Sequence, residues 1–322
     1  MKNNVLFVST SFFPKFAGTE IEIYNLATEL SLKNNVTLLL PKYLKRYNHN
    51  KEYKFKIQYF DDILLRIYSR FPSLIFSYLF SVTSKSLKKQ FEDHKKFFFF
   101  IHPTASFFSY IFKTLDFLVP QGVDVQVDNE SGYGFLSNPK IRKLINKVTK
   151  NSTCLYMSDS MKKSILENLN IDENKLVYIP TATNIKLIEK HTTNNTLFRR
   201  KHNINSNEII ILTTSRYSPK KGLEKIELII EALISKKYEN FRWIVLGKNT
   251  KLLKNKFGKK TLQKIIFIDE IKIDNQNPTT PPLALIEFYK NCDVYCNTSR
   301  IEGFSLTNLD IMASKKPIVA FD

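Results

Sequence analysis

Two carboxylates stand close to a predicted strand end in the last part of the chain. Glu302 follows the apolar stretch 293–299, and Asp310 comes eight residues after it. Carboxylate oxygens accept hydrogen bonds from sugar hydroxyls, so one of them suits a transferred sugar and the other the ribose of a nucleotide. Gly303 permits a close approach of the backbone, and a helix predicted over 304–314 points free N–H groups at the same place. The alternative is a capping glutamate and a surface aspartate.

A second group of residues is suited to phosphate. Arg216 follows the apolar stretch 208–215, and Lys221 comes five residues later, directly before Gly222. A guanidinium binds phosphate oxygens as a fork and an ammonium binds them as a point charge. The N-terminus of the helix that follows also favours anions. Together these features predict a diphosphate site, and the spacing alone leaves a solvated basic turn equally open.

The first half of the chain offers fewer candidates. Gly18 lies in the turn between the first predicted strand and helix, where it allows a ligand to approach the backbone. His102 follows a run of phenylalanines; a histidine there can hydrogen-bond a hydroxyl or transfer a proton, although a histidine before proline is often only structural. Asp124 and Gln126 lie in the polar stretch 123–140, which suits a loop on the acceptor side of an active site.

These residues follow or flank short apolar runs that alternate with amphipathic segments. Continuous apolar runs are typical of parallel strands that are covered on both faces, and helices between them predict a doubly wound sheet. The predicted strands are 4–10, 35–41, 97–101, 123–127, 153–158, 176–180, 208–215, 241–247, 264–271, 293–299 and 317–321, and the predicted helices are 19–33, 222–237, 283–291 and 304–314. In such sheets ligands bind beyond the carboxyl ends of the strands.

The length of 322 residues suits two domains. A polar stretch, 181–207, reads as the connection between two series of strands and helices. We therefore predict an α/β protein with two Rossmann-like doubly wound domains, residues 1–183 and residues 184–322.

The formal net charge of +19 fits three kinds of partner: nucleic acid, an anionic membrane surface or phosphorylated small molecules. The lysines are spread along the chain, which disfavours nucleic acid, and part of the excess reflects a composition typical of an AT-rich genome. The segment 42–96 is basic and aromatic. It reads either as a surface helix on an anionic leaflet or as a helix docked on the sheet with a solvated lysine face.

Other features restrict the class of protein. No apolar run approaches the roughly 20 residues that a membrane-spanning helix needs. Cys154, Cys292 and Cys296 have no second Cys/His pair to complete a zinc site, so we expect reduced core thiols in a cytoplasmic protein.

Five stretches together resemble the retaining family 4 glycosyltransferases of GT-B fold. They are PKFAGTEIEIYNLATEL (14–30), CLYMSDSMKKSILENLNIDENKLVYIPTATN (154–184), TSRYSPKKG (214–222), FRWIVLGK (241–248) and NCDVYCNTSRIEGFSLTNLDIMASKKPIVAFD (291–322). The last is similar to the family's Glu-x7-Glu signature, with Asp310 in place of the second glutamate. Ala17 and Ser215 stand where the family usually has glycine.

The resemblance implies a role for each candidate residue. Arg216 and Lys221 would bind the donor diphosphate, Glu302 the donor sugar and Asp310 the nucleotide ribose. Gly18 would line the donor phosphates, and His102 would lie towards the reacting sugar. The backbone that receives the donor would be that of Gly303, Phe304, Ser305 and Leu306. The family works without a metal ion, and no other cofactor is implied.

The implied function is transfer of a sugar, with retention, from a nucleotide-diphosphate sugar to a glycan or lipid-linked acceptor. The setting would be cell-envelope polysaccharide or lipopolysaccharide synthesis, in the cytoplasm and at the inner membrane face. The family's second domain normally continues beyond the point that corresponds to Asp322, so that domain is expected to be incomplete. The alternative is therefore a catalytically inactive, truncated glycosyltransferase-like protein, and nucleic-acid binding is a distant third hypothesis.

Overall fold

The structure is a computed structural model that describes residues 2–14, 18–48, 52–63, 65–66, 85–99, 108, 111–112, 115–122, 125–127, 134–269, 271 and 279–321. His102 and Asp124 lie outside these residues. The chain separates into two compact units, Met1–Thr181 and Ala182–Asp322. The break falls two residues before the boundary that the sequence predicts.

The first unit contains a seven-stranded sheet. Its strands are β1 (Asn4–Val8), β2 (Asn35–Pro41), β3 (Lys56–Phe60), β4 (Lys95–Phe99), β5 (Phe117–Val119), β6 (Thr153–Tyr156) and β7 (Leu176–Tyr178). The described helices are α1 (Gly18–Ser31), α2 (Lys45–Asn48), α3 (Lys85–Gln90), α4 (Pro139–Thr149) and α5 (Asp159–Asn168). The strand order is β3-β2-β1-β4-β5-β6-β7, and every neighbouring pair is parallel.

The core of this unit is apolar and rich in aromatic rings. The buried strands β1 and β2 carry almost uninterrupted apolar side chains, as sheets covered on both faces require. Helix α1 packs on them through Ile23 and Ala27, which lie one turn apart on its buried face. Phe12 and Phe13 stack at 4.6 Å between ring centroids beneath the same helix.

The second unit contains a five-stranded sheet of the same kind. Its strands are β8 (Ile209–Thr214), β9 (Phe241–Leu246), β10 (Ile265–Ile268), β11 (Val294–Asn297) and β12 (Ile318–Ala320). Its helices are α6 (Ile185–Lys190), α7 (Asn195–Lys201), α8 (Lys225–Ser235), α9 (Lys259–Lys264), α10 (Leu283–Asn291) and α11 (Leu306–Ala313). The order β10-β9-β8-β11-β12 is parallel throughout. The order reverses between β8 and β11, which makes their carboxyl ends the topological switch point, where such sheets bind ligands.

A chain of hydrogen bonds crosses the second core. Trp243 is buried, and its Nε1 donates a hydrogen bond of 3.1 Å to Thr213 Oγ1. That hydroxyl in turn donates to the carbonyl of Cys296 at 2.7 Å. This chain of bonds ties β9, β8 and β11 together under the switch point, as buried polar atoms must be paired to be tolerated.

Several predictions of local structure are wrong. Strands β3 and β5 were not predicted. Of the predicted strand 123–127, residues 123–124 lie outside the described part, and 125–127 form no strand: they belong to a turn in which the N–H groups of Val125 and Gln126 bond to the carbonyl of Gly122. The stretch 181–207 is not simply a connection, because α6 and α7 lie within it.

The basic aromatic segment 42–96 is not one helix in its described part, since it includes β3 and α3 and the start of β4. Residues 67–84 of this segment lie outside the described residues, so both hypotheses about a surface helix stay predictions there. All three cysteines are buried and unbridged. No helix in the described part of the chain is long and apolar enough to cross a bilayer.

Candidate active site

Two loops meet at the switch point of the second sheet. The first, 215–222, leaves the carboxyl end of β8, and the second, 298–305, leaves the carboxyl end of β11. Thr298 Oγ1 donates to the carbonyl of Lys221 at 2.8 Å, and the Arg300 N–H donates to the carbonyl of Lys220 at 2.8 Å. These bonds join the two loops, so residues that are far apart in the sequence share one site.

Two glycines make close packing against the two ends of the first loop possible. Gly222 has φ +56°, and a Cβ there would lie 2.3 Å from the carbonyl oxygen of Thr298. Gly247, directly after β9, has φ +147°, and a Cβ there would lie 2.2 Å from the carbonyl oxygen of Ser215. Both positions therefore lack room for a side chain and have a conformation that other residues rarely adopt.

The ammonium of Lys221 forms an ion pair with the carboxylate of Glu302. Their side chains are 19% and 26% exposed, so the pair is partly shielded from water but reachable by a ligand. Ser299 Oγ donates a further hydrogen bond of 2.7 Å to the same oxygen, Glu302 Oε1. The sequence prediction that these two charged groups belong to one site agrees with their position, and Ser299 is a member that the sequence did not reveal.

Arg216 belongs to the first loop, as Lys221 does, and its side chain is exposed. Its guanidinium makes no ion pair with any residue that the structure describes. The loop that carries it is held by its backbone, because the N–H of Ser215 bonds to the carbonyl of Leu246 and the N–H of Tyr217 to the carbonyl of Lys248. A fixed backbone and a free cationic end are suited to binding an anion.

The second loop ends at the N-terminus of α11. Ser305 is the N-cap residue, and its Oγ accepts a hydrogen bond of 3.3 Å from the N–H of Asn308. Asn308 also accepts from Asn297 at 3.2 Å, which fixes the helix to the end of β11. Gly303, Phe304 and Leu306 are partly exposed around this helix start. The positive end of the α11 macrodipole and the first N–H groups of the helix therefore lie where the second loop ends, a few residues after Glu302.

Asp310 has a different environment from the other predicted donor residues. It is only 8% exposed, and its Oδ1 accepts a hydrogen bond from Thr183 Oγ1. Burial raises the pKa of this carboxyl to about 7, although the hydrogen bond from Thr183 acts in the opposite direction. The sequence gave no sign of Thr183 as its partner. The prediction that Asp310 binds a ribose stays a prediction.

A depression of about 430 Å³ lies at the carboxyl ends of β9 and β10, next to the first loop. It is lined by Lys248, Asn249, Lys251, Phe267, Ile268 and Asp269. The N–H of Lys251 donates to Asp269 Oδ1 at 2.9 Å, which lowers the pKa of that carboxyl. The sequence analysis did not single out these residues: 248–251 follow the predicted strand 241–247, and 267–269 fall inside the predicted strand 264–271.

Of the candidate residues in the first unit, the structure describes Gly18 and Gln126. Gly18 begins α1 and is exposed. Gln126 is buried at 5% exposure, in the turn described above. His102 and Asp124 lie outside the described residues, so their predicted roles stay predictions. Among the described side chains, no three histidines, cysteines or carboxylates cluster as a metal site requires.

Comparison with known proteins connects this geometry to a family. Residues 194–322 match the family model "Glycosyl transferases group 1". A curated relative, poly(ribitol-phosphate) alpha-N-acetylglucosaminyltransferase of Staphylococcus aureus (strain COL), is 28% identical over 174 residues, which are 50% of this chain and 32% of the relative. The matched region thus spans about a third of the length of that curated relative.

Solved structures resemble the chain over nearly its whole length. Anabaena HepE in complex with UDP and glucose has a TM-score of 0.66 at 15% identity, covering 99% of this chain and 80% of its own. WaaG, described as a glycosyltransferase involved in lipopolysaccharide biosynthesis, has a TM-score of 0.67 at 13% identity and covers 98% and 80%. Sucrose-phosphate synthase from Thermosynechococcus elongatus has a TM-score of 0.68 at 13% identity and covers 99% and 81%. These likenesses confirm the predicted α/β fold class, that of GT-B glycosyltransferases.

Proposed function

We propose that this chain transfers a sugar from a nucleotide-diphosphate sugar to a glycan or lipid-linked acceptor, because residues 194–322 match the family model of the glycosyl transferases group 1. The observation that carries the proposal is the pairing of Lys221 with Glu302 at the switch point of the second sheet. A cation for phosphate and a carboxylate for sugar hydroxyls thus stand side by side, as a nucleotide sugar requires.

The donor occupies this site with its diphosphate on the cations and its sugar on the carboxylate. Arg216 and Lys221 bind the diphosphate oxygens, and the N-terminus of α11, beginning with Gly303 and the cap residue Ser305, adds its dipole. When the donor binds, Glu302 releases the ammonium of Lys221 and accepts hydrogen bonds from hydroxyls of the sugar instead. The nucleobase lies in the depression at the ends of β9 and β10, where Phe267 and Ile268 stand beside polar and charged side chains.

The reaction breaks the bond between the anomeric carbon and the diphosphate oxygen. Negative charge develops on the departing diphosphate, and Arg216 and Lys221 stabilise it in place. The acceptor hydroxyl forms the new bond to the anomeric carbon on the face that the diphosphate leaves, so the configuration is retained, and its proton passes to the departing diphosphate oxygen. These cations supply the charge that the leaving group needs, so we propose that the reaction requires no metal ion.

The acceptor that we propose is an intermediate of a cell-envelope polysaccharide or lipopolysaccharide. Support comes from the names of the similar proteins: the staphylococcal relative acts on poly(ribitol-phosphate), and WaaG is involved in lipopolysaccharide biosynthesis. HepE was solved both with UDP and glucose and with UDP-glucose, so a uridine nucleotide is the first donor to test.

The test is a thermal-melting panel with UDP, GDP, ADP and their common sugars. A ligand that binds only the folded state stabilises it by about 2.7 kcal/mol at a hundred times its Kd. We expect one nucleotide family to raise the melting temperature of the wild-type chain and of Arg200→Ala, but not of Arg216→Ala. Arg200 is an exposed cation on α7, so that variant controls for the loss of charge. A wild-type protein that melts cooperatively and responds to no nucleotide would contradict the proposal and favour the inactive alternative.

A further inference from the structure

A basic pocket in the first unit is not used by the donor site. It has a volume of about 660 Å³, and its described lining consists of Lys42, Tyr43, Lys45, Arg46 and Arg66. Four of these five side chains are cationic, and none is acidic. Pockets of this volume are large enough for a charged group together with part of the molecule that carries it.

The position of this basic pocket in the sheet is that of a ligand site. Lys42 follows directly on the last residue of β2, Pro41. Tyr43 donates a hydrogen bond of 2.8 Å to the carbonyl of Thr10, which lies just beyond β1. Arg66 pairs with Asp62, which lies just beyond β3. The pocket therefore lies at the carboxyl ends of three adjacent parallel strands, where doubly wound sheets bind their ligands.

One of its cations is oriented in advance. The side chain of Asp62 is buried and accepts from Nε of Arg66, so the two terminal nitrogens of the guanidinium remain for another acceptor. The guanidinium carbon of Arg66 also lies 5.4 Å from the centre of the Tyr43 ring, and the bond from Tyr43 to Thr10 keeps that ring in place. A guanidinium held in this way presents a fork that matches two oxygens of a phosphate.

Two further cations of the pocket, Lys42 and Arg46, are not paired with a carboxylate in the described part of the chain. The Arg46 guanidinium stacks on Tyr47, at 4.6 Å from the ring centre. Like charges gathered around one depression repel each other, and an anion between them relieves that repulsion. A phosphate monoester or diester offers the charge and the oxygens that this arrangement lacks.

We propose that the basic pocket binds a phosphate group of the acceptor, so that the enzyme's acceptor is a phosphate-bearing glycan or lipid. The identification of the bound molecule as the acceptor rests on the proposed function, whereas binding of phosphate by the pocket does not. The phosphate can belong to a soluble polymer or to a lipid headgroup; both present the same chemistry to Lys42, Arg46 and Arg66.

The test compares two double variants that remove the same charge from opposite edges of one sheet. The first double variant, Lys42→Gln with Arg46→Gln, removes two cationic side chains from the lining of the pocket. Lys33→Gln with Lys54→Gln removes two exposed lysines that precede β2 and β3 and so lie at the amino ends of those strands. Arg66→Lys is a third variant, which keeps the charge but removes the fork. All changed side chains are exposed, so a cooperative melt serves as the check on folding.

The probes are glycerol 3-phosphate in solution and vesicles of phosphatidylglycerol, with vesicles of phosphatidylcholine as the uncharged reference, at constant ionic strength. Hydrogen exchange of the peptide 42–48 reports on the pocket itself. We expect slower exchange with at least one of the two anionic probes, and binding about tenfold weaker in the Lys42→Gln, Arg46→Gln variant, as expected for the loss of two partly exposed contacts. Arg66→Lys should fall between this variant and the wild type.

Each outcome decides between explanations. Protection by phosphatidylglycerol alone assigns the phosphate to a lipid headgroup, and protection by glycerol 3-phosphate assigns it to a soluble acceptor. The proposal is overturned if neither anionic probe protects 42–48, if the Lys33→Gln, Lys54→Gln control loses binding equally, or if Arg216→Ala abolishes the effect. The nucleotide panel is a separate readout, so failure of the donor site and failure of this pocket are distinguished.

Discussion

The ammonium of Lys221 contacts the carboxylate of Glu302, which lies 81 positions later in the sequence. The contact exists because β8 and β11 are neighbours at the point where the strand order of the sheet reverses. Each residue follows its strand by only a few positions, so the parallel sheet brings both side chains to one edge. The pair is the centre of the proposed donor site.

Replacing Lys221 by Met should abolish most transfer activity while leaving the fold nearly as stable. The ion pair is partly exposed, so its loss should change the free energy of unfolding by no more than about 1 kcal/mol. Loss of a preorganised group that stabilises developing charge typically costs about 3 kcal/mol in the transition state, which corresponds to a hundredfold or greater fall in kcat. The measurement is sugar transfer beside urea unfolding. Lys260→Met, an exposed lysine on α9, is the control, and undiminished transfer by Lys221→Met would refute the assignment.

Replacing Gly222 by Ala should destabilise the second unit by about 2 kcal/mol or more. The residue has φ +56°, and the added Cβ would meet the Thr298 carbonyl at 2.3 Å. The loop must then move away, which separates Lys221 from Glu302. Gly258→Ala is the matched control, because its Cβ would meet only Glu227 Oε1, at an ordinary 3.5 Å. Thermal melting of the two variants checks this, and equal melting temperatures would show that the loops are not packed as described.

Replacing Ser305 by Ala should weaken both the fold and the donor site. The hydroxyl caps α11 by accepting from the N–H of Asn308, and loss of an N-cap costs about 1 kcal/mol. Ser158 caps α5 in the first unit in the same way, accepting from the N–H of Met161 at 3.1 Å. We expect Ser158→Ala to lose similar stability but to keep nucleotide binding, whereas Ser305→Ala should lose both. If both variants bind nucleotide like the wild type, Ser305 is only a capping residue.

The fold could be predicted where strands are buried on both faces. The runs that became β1, β2, β8 and β9 are continuous and apolar, and helix α10 has the predicted bounds, Leu283–Asn291. Strand β3 was missed because it lies at the edge of the sheet and is only partly buried, so its sequence KIQYF carries a mixed pattern. The pattern of apolar residues in a sequence reflects which side chains are buried, and a partly exposed edge strand buries too few side chains to produce a clear pattern.

Strand β5 was missed for a different reason. It is only three residues long, Phe117–Val119, and the nearby stretch 123–127 has a stronger alternation of apolar and polar residues. The described end of that stretch, 125–127, forms no strand, and the carbonyl of Gln126 lies where a Cβ of Gly134 would be. A short strand and a well-packed turn cannot be separated by local pattern alone.

The site could be predicted at the level of strand ends but not of contacts. Parallel topology was enough to expect Lys221 and Glu302 at one edge, because both follow strands. The partners Ser299 and Thr183 depend on the path of loops and on the position of α6, for which the sequence offered no periodic signal. The basic pocket was missed because its lysines and arginines belong to a segment in which cations are common.

The buried carboxyl of Asp310 should make the second unit less stable as the pH rises. Its pKa is about 7 in the folded protein because of burial, against an ordinary value of 3.8. Between these values the folded state binds the proton more tightly than the unfolded state, so this stabilising contribution is full below pH 4 and is lost as the pH rises through 7. Linkage gives a loss of about 2 to 3 kcal/mol between pH 5 and pH 8 from this group.

The test replaces Asp310 by Asn, which keeps the size and accepts a hydrogen bond from Thr183 but cannot ionise. We expect the difference in the free energy of unfolding between Asp310→Asn and the wild type to shift by about 2 to 3 kcal/mol in favour of the variant on going from pH 5 to pH 8.

Glu22 is a matched case in the first unit, since burial raises its pKa to about 7 beside Gln121. Glu22→Gln should therefore alter the same pH dependence through the first unit, and urea unfolding with a probe in each unit separates the two. A difference between Asp310→Asn and the wild type that does not change with pH would mean that Asp310 is ionised throughout this range, and so more accessible to water or to a ribose than its burial indicates.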